Sequence, residues 1–124
     1  MTSYQFTVEQ ALNFVHTRVV GERTPENTLR FLRDSYAACV NGGTTGLLLE
    51  MHLSGPSLTT TNVFDVISSW VPDALKLGKI AYVEDSVDDP AMPAFAVDVA
   101  VNRGVNARLF RDVVSAAAWL AEEF

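Results

Sequence analysis

Polar and apolar residues alternate along the first stretch of the chain. From Tyr4 to Val8, residues Tyr4, Phe6 and Val8 fall on one side and Gln5 and Thr7 on the other. From Leu12 to Val20 the pattern repeats, with Leu12, Phe14, His16 and Arg18 opposite Val15, Thr17 and Val19. A period of two over β-branched and aromatic residues predicts strands. The short joint at Glu9 to Ala11 predicts an antiparallel hairpin.

The period then changes. Thr24, Pro25 and Glu26 form a helix start: a hydroxyl cap, then proline in the first turn, where its missing N–H costs nothing. The helix is expected to run to about Val40, with Leu29, Leu32, Tyr36 and Val40 as its buried stripe and Cys39 on the edge. Phe31 points away from that stripe. Asn41-Gly42-Gly43 ends the helix. Leu47, Leu48 and Leu49 are consecutive, so the strand from Gly46 to Leu53 is apolar on both faces, as a central, doubly covered strand is. After the loop Ser54-Gly55-Pro56-Ser57, Thr59 to Asn62 supply caps for a second helix. Its stripe is Val63, Val66, Ile67, Trp70, Val71, Ala74 and Leu77. Pro72 falls within the stripe and predicts a kink or restart near Trp70–Val71. Lys79 to Glu84 is a second two-faced strand.

An acidic loop from Asp85 to Asp89 leads to Pro90 or Pro93, which open a third helix stopping at Gly104. That helix is apolar nearly all round: Met92, Phe95, Ala96 and Val99 on one side, Val97 and Val101 on another. Asn106 to Phe110 is a short strand. Asp112 caps the last helix, with Val113, Ala116, Ala117, Leu120 and Phe124 inward. The order ββαβαβαβα predicts an α/β fold in which a mixed, mostly parallel five-stranded sheet carries four helices, the first strand being an antiparallel edge.

Composition narrows the function classes. The 124 residues suit a single domain, 1–124, and 48% of them are hydrophobic. A net charge of -6 opposes a phosphate-backbone binder, whose footprint is basic, so no nucleic-acid partner is expected. The longest apolar runs fall short of the roughly 20 residues a membrane helix needs. Met1 to Gln10 carries no basic region followed by an apolar stretch, so no signal peptide is expected. One cysteine, Cys39, allows no intrachain disulfide, which fits a reducing cytoplasm.

The second half resembles a known family. The run KIAYVED followed by FAVDVAVNRGVNARLFRDVVSAAAWL is similar to SpoIIAA-like domains of the STAS/SEC14 type. Those typically end with a basic residue before an apolar strand, a helix closing on Asn-Arg-Gly, an Arg-apolar-Phe strand, then an aspartate, an alanine-rich helix and Trp-Leu. The matching residues are Lys79, Asn102-Arg103-Gly104, Arg108-Leu109-Phe110, Asp112 and Trp119-Leu120. They cover Lys79 to Leu120; the first half agrees in element order only. The resemblance implies a STAS-like fold and a role without chemistry at the domain, such as partner regulation or lipid carriage. Anti-sigma-factor antagonists of this fold carry Asp-Ser-Ser-Gly at the start of the helix after the third strand. Leu58-Thr59-Thr60-Thr61 stand there in this chain. Thr59, Thr60 and Thr61 remain candidate phosphoacceptors, with helix capping as the simpler role.

Other groups suggest little chemistry. Gly42-Gly43-Thr44-Thr45-Gly46 runs from helix to strand, the reverse of a phosphate loop, and reads as a helix stop. Glu50, His52, Glu84 and Asp85 lie near the carboxyl ends of the central strands, where open α/β sheets bind ligands. Solvated loop acids and caps explain them without a metal. His16 reads as a partly buried strand histidine. No nucleophile, base and acid fall at a recognisable motif spacing, so neither catalytic residues nor cofactors are expected. The surplus apolar positions carry the functional expectation. Phe31, Val97, Val101 and Trp119 lie off the buried stripes and predict a non-catalytic module that binds a protein partner or itself, as a homodimer. The alternative is a carrier or sensor of a small apolar, lipid-like ligand between helices and sheet, lined by Trp70 or Phe64 beside the Pro72 kink.

Overall fold

The computed structural model of the chain describes residues 4–84 and 89–122. β1 (Tyr4–Gln10) and β2 (Val15–Glu22) pair antiparallel. The turn between them is closed by the Ala11 amide, which donates to the Phe14 carbonyl at 2.9 Å. This joint lies later than the alternation predicts. Leu12 and Phe14 belong to the turn, and Leu12 is 95% exposed. Val15 is the first residue of β2, and it is fully buried.

From β2 onward the sheet is parallel. β2 pairs with β3 (Gly46–Ser54), β3 with β4 (Lys79–Glu84) and β4 with β5 (Ala107–Phe110), so the order in the sheet is the order in the chain. Each parallel step crosses over through a helix: α1 (Pro25–Gly42), α2 (Thr60–Ala74) or α3 (Ala91–Val101). Crossovers share one hand, so a sheet that advances in one direction collects its crossover helices on one face. α1 packs on α2 and α2 on α3. α4 (Val113–Ala121) packs on the other face, against β3, β4 and β5. This is the predicted ββαβαβαβα order with its antiparallel edge.

The consecutive leucines of β3 serve both layers. Leu47, Leu49, Met51 and Leu53 enter the large core under α1, α2 and α3, while Leu48 joins Ala81, Val83, Ala116 and Leu120 under α4. On that second face β1 and β2 present Gln5, Thr7, Glu9 and Arg18, all exposed.

The helix starts follow the predicted chemistry. Thr24 Oγ1 accepts the Asn27 amide at 3.0 Å, Thr59 Oγ1 accepts that of Asn62 at 3.1 Å, and Asp112 Oδ1 accepts that of Ser115 at 2.7 Å. Before α3, Asp89 Oδ1 accepts the Ala91 amide at 3.0 Å. Gly43 closes α1 at φ 67°, a left-handed conformation that glycine adopts without a Cβ clash. Asp85, Asp88 and Phe124 lie outside the described residues.

Two expectations fail. The buried face of α1 consists of Asn27, Thr28, Phe31, Leu32, Ser35 and Cys39, while Val40 is 60% exposed. The helix is rotated relative to its apolar stripe because three polar residues on the true inner face are satisfied there. Ser35 Oγ bonds Thr17 Oγ1 at 2.7 Å, Thr28 Oγ1 donates to the Thr24 carbonyl at 2.8 Å, and Asn27 Nδ2 donates to the Glu22 carbonyl at 2.9 Å. Phe31 is therefore fully buried, edge-on to Phe6 at 5.9 Å. Nor does α2 restart: it runs unbroken from Thr60 to Ala74 through Pro72. Pro72 sits in its last turn, where the missing N–H removes one bond, to the Ser68 carbonyl, and no further helix depends on it.

Candidate functional site

The sheet's carboxyl edge, beneath the three crossover helices, carries a buried charged pair. Arg23 follows β2 directly, and its backbone amide donates to the Ser54 carbonyl at 2.7 Å. Its Nε donates to Glu84 Oε2 at 3.3 Å, at the end of β4. Its Nη2 donates to the Leu53 carbonyl at 2.7 Å, and its Nη1 to the Gly55 carbonyl. The other Glu84 oxygen accepts the Tyr82 hydroxyl. The two charged side chains are 3% and 6% exposed. Burial, and after it the Glu84 charge, holds the Tyr82 phenol well above its ordinary pKa. The pair thus ties the end of β2, the loop after β3 and the end of β4 together. Desolvating two charges is costly unless further hydrogen bonds satisfy them, and here two backbone carbonyls and a phenol do so.

These polar groups form one wall of a cavity between the sheet and the helices. Leu32 of α1, Val66 and Ile67 of α2, Met92 and Ala96 of α3, and Met51 and Leu53 of β3 make it chiefly apolar. Thr28 and Ser57 add two hydroxyls; Ser57 Oγ accepts the Asp89 amide at 3.1 Å, linking the loop before α2 to the residues before α3. Free space between the lining atoms totals about 490 Å³ including the open mouth, but the part that admits the centre of a water-sized body is about 40 Å³. The smaller figure describes the enclosed room. It fits a slender group and would need the methionine walls to yield for anything broad.

A second recess, at the opposite edge of the sheet, is larger at about 340 Å³, lined by Asn13, Thr45 and Lys79 among others. Lys79 Nζ there donates to the Trp119 and Glu122 carbonyls at 2.9 and 3.0 Å, a cation closing the end of α4. Apolar walls meeting a few convergent polar groups describe a ligand site better than this recess of mixed polar and apolar lining does.

The sheet divides the carboxyl-edge cluster that the sequence suggests. Glu84 faces the three helices beside Met51, whereas Glu50 and His52 point to the opposite face. There Glu50 Oε1 bonds His16 Nε2 at 2.7 Å, and its Oε2 bonds His52 Nε2 and, at 3.3 Å, Arg18 Nε. Burial raises the Glu50 carboxyl, but the hydrogen bonds from His52 and His16 outweigh it and hold the pKa below its ordinary value. Among the described residues no group of three or more histidines, cysteines or acids is arranged to hold a metal ion. No helix among them is long and apolar enough to cross a membrane.

No model of a known protein family matches the chain, and no curated protein matches it in sequence. The residues that carry the resemblance noted in the sequence have visible structural tasks. Lys79 closes α4, Gly104 turns at φ 91° after α3, Asp112 caps α4, and Trp119 packs on Phe110 at 5.5 Å.

The six residues expected at a partner or ligand surface scatter. Phe31 is buried in the large core and cannot present itself to a partner. Trp70 is also buried, 3% exposed, and does not line the cavity; its indole N–H has no hydrogen-bond partner among the described residues. Val97 is half-buried against the core, and Trp119 is half-buried beneath α4 with Lys79 Nζ 5.1 Å from its ring. Phe64 and Val101 are 42% and 46% exposed, with the Arg103 guanidinium 4.8 Å from the Phe64 ring. Thr59 is the cap of α2, and Thr60 and Thr61 are exposed in its first turn. Arg23 and Tyr82 are absent from the sequence expectation. One signal for them exists: alternation along β4 puts Ile80, Tyr82 and Glu84 on the helix-covered face, where a buried acid calls for a cationic neighbour.

Proposed function

We propose that this chain is a non-catalytic binding module that holds a small, mainly apolar molecule in the cavity beneath α1, α2 and α3. The observation that carries this reading is the meeting of apolar walls with the buried Arg23–Glu84–Tyr82 group at the carboxyl edge of a parallel sheet. Ligands of open α/β sheets bind outside that edge. The His16–Glu50–His52 group lies across the sheet from the cavity, so it is not placed to act on an occupant. The resemblance to SpoIIAA-like domains and an action in the reducing cytoplasm belong to the same proposal.

Native mass spectrometry of the freshly purified protein, against the same sample denatured, tests it. A mass excess that disappears on denaturation is expected. A single clean mass in both samples, persisting after incubation with saturating hexan-1-ol, overturns the reading.

A second reading, docking of a protein partner or a second copy, draws on Phe64, Leu75 and Val101, which are exposed on α2, at its end and on α3. Sedimentation of Val101→Glu beside the unaltered chain tests it. An unchanged monomer in both removes self-association.

A further inference from the structure

We propose that β1 is a docking edge for a second copy of this chain, pairing antiparallel with its own counterpart about a two-fold axis at Thr7. β1 lines no part of the cavity, so the inference stands apart from the ligand-binding reading. Among the described residues, β1 has a neighbouring strand on one side only. Two hydrogen bonds show which of its backbone groups are spent. The Ala11 amide donates to the Phe14 carbonyl, so those two residues form a bonded pair. Residues directly opposite each other alternate between bonded and unbonded pairs along an antiparallel ladder. Gln5, Thr7 and Glu9 are therefore bonded to β2, while the N–H and C=O groups of Tyr4, Phe6, Val8 and Gln10 turn outward. The parallel side of β2 agrees. The Arg23 amide donates to the Ser54 carbonyl, so by alternation His16, Arg18 and Val20 are the residues whose backbone faces β1.

Exposed edges are commonly guarded by proline, lysine, a bulge or shortness. β1 has none of these: its sequence is YQFTVEQ, and its register with β2 runs unbroken from Tyr4 to Gln10. β5, at the other edge, spans only four residues and carries the exposed Arg108. The strand also complements itself. With Thr7 opposite Thr7 of the copy, all seven residues pair, and each outward N–H meets an outward C=O. Phe6, which packs on Phe31 of α1, then lies opposite Val8 of the copy, an aromatic residue against a β-branched one, a stabilising cross-strand pair. Val8 is 46% exposed and Phe6 half-buried, so this pair has apolar area left to cover. On the other side of the sheet Glu9 lies opposite Gln5, and no like charges meet directly. A register centred on Phe6 or Val8 leaves part of the strand unpaired, and one centred on Glu9 sets that carboxylate against its own copy.

Sedimentation of the unaltered chain over a concentration series, with amide hydrogen exchange at both ends of the series, tests this. A reversible dimer is expected. The amides of Phe6, Val8 and Gln10 are expected to be protected in the dimer and to exchange readily after dilution, while those of Gln5, Thr7 and Glu9 stay protected in both. Val8→Pro removes an outward N–H and no bond to β2, so it is expected to weaken the dimer about tenfold or more, the change acting twice across the axis. A monomer at every concentration overturns the inference, also where added YQFTVEQ peptide binds its edge. So does a dimer in which dilution frees amides of α2 and α3 instead, which would mark the helical faces as the interface. The exchange pattern is read on the unaltered chain, so it decides the matter even where the variant does not fold.

Discussion

Arg23 and Arg18 are both paired with a glutamate, yet they are expected to contribute very differently. Arg23 is 3% exposed at its side chain and donates to two backbone carbonyls besides Glu84; Arg18 is 49% exposed. Removing one partner of a buried pair strands the other charge. Arg23→Met is therefore expected to lower stability by about 3–5 kcal/mol, and Arg18→Met by less than about 1 kcal/mol, in urea unfolding. Adding Glu84→Gln to Arg23→Met is expected to cost less than the two single losses summed, because the stranded charge is then gone. Glu50 provides a pH test. Its folded pKa lies below the unfolded value, so its contribution is present above the unfolded carboxyl range, about 4.3, and is lost as pH falls through the folded pKa. Glu50→Gln should accordingly be less stable than the parent near neutrality, with the gap closing in acid. A gap that is constant with pH would contradict the role given to its histidine partners.

At the scale of elements, nearly everything that repeats was legible in the sequence. The period of two marks the hairpin, the triple leucine marks the two-faced β3, and Thr24, Thr59 and Asp112 mark helix starts that prove to be capped. The misplaced face of α1 arises where polar side chains are buried. Ser35 and Thr28 turn inward because hydrogen bonds meet them there, and this swings Phe31 into the core and Val40 out of it. A pattern of apolar positions carries no signal for that, since a satisfied hydroxyl and a solvated one read alike. Phe31→Ala is expected to cost about 3–5 kcal/mol, while Leu12→Ala, at the exposed hairpin turn, stays within about 0.5 kcal/mol. Chemical denaturation of the two variants beside the parent measures both. Similar small losses would place Phe31 back at the surface. The candidate site was legible only in part: the carboxyl edge was picked out, but a linear reading grouped Glu50 and His52 with Glu84, which the sheet keeps apart.

For the whole molecule, the sequential strand order has a functional consequence. It gathers α1, α2 and α3 on one face, so the carboxyl ends of β2, β3 and β4 lie beneath three helices, and the ends of β2 and β4 and the loop after β3 meet at Arg23. α4 packs on the other face, and β3 and β4 of the sheet form the floor of the cavity. The most direct test of the account follows methyl resonances of the unaltered chain during titration with hexan-1-ol. Met51 and Met92 line the cavity, whereas Val114 is 81% exposed on α4, across the sheet. The account predicts saturable shifts of the Met51 and Met92 methyls with Val114 unmoved. Met51 and Met92 unmoved up to the solubility of the alcohol, or Val114 moving in step with them, would contradict it.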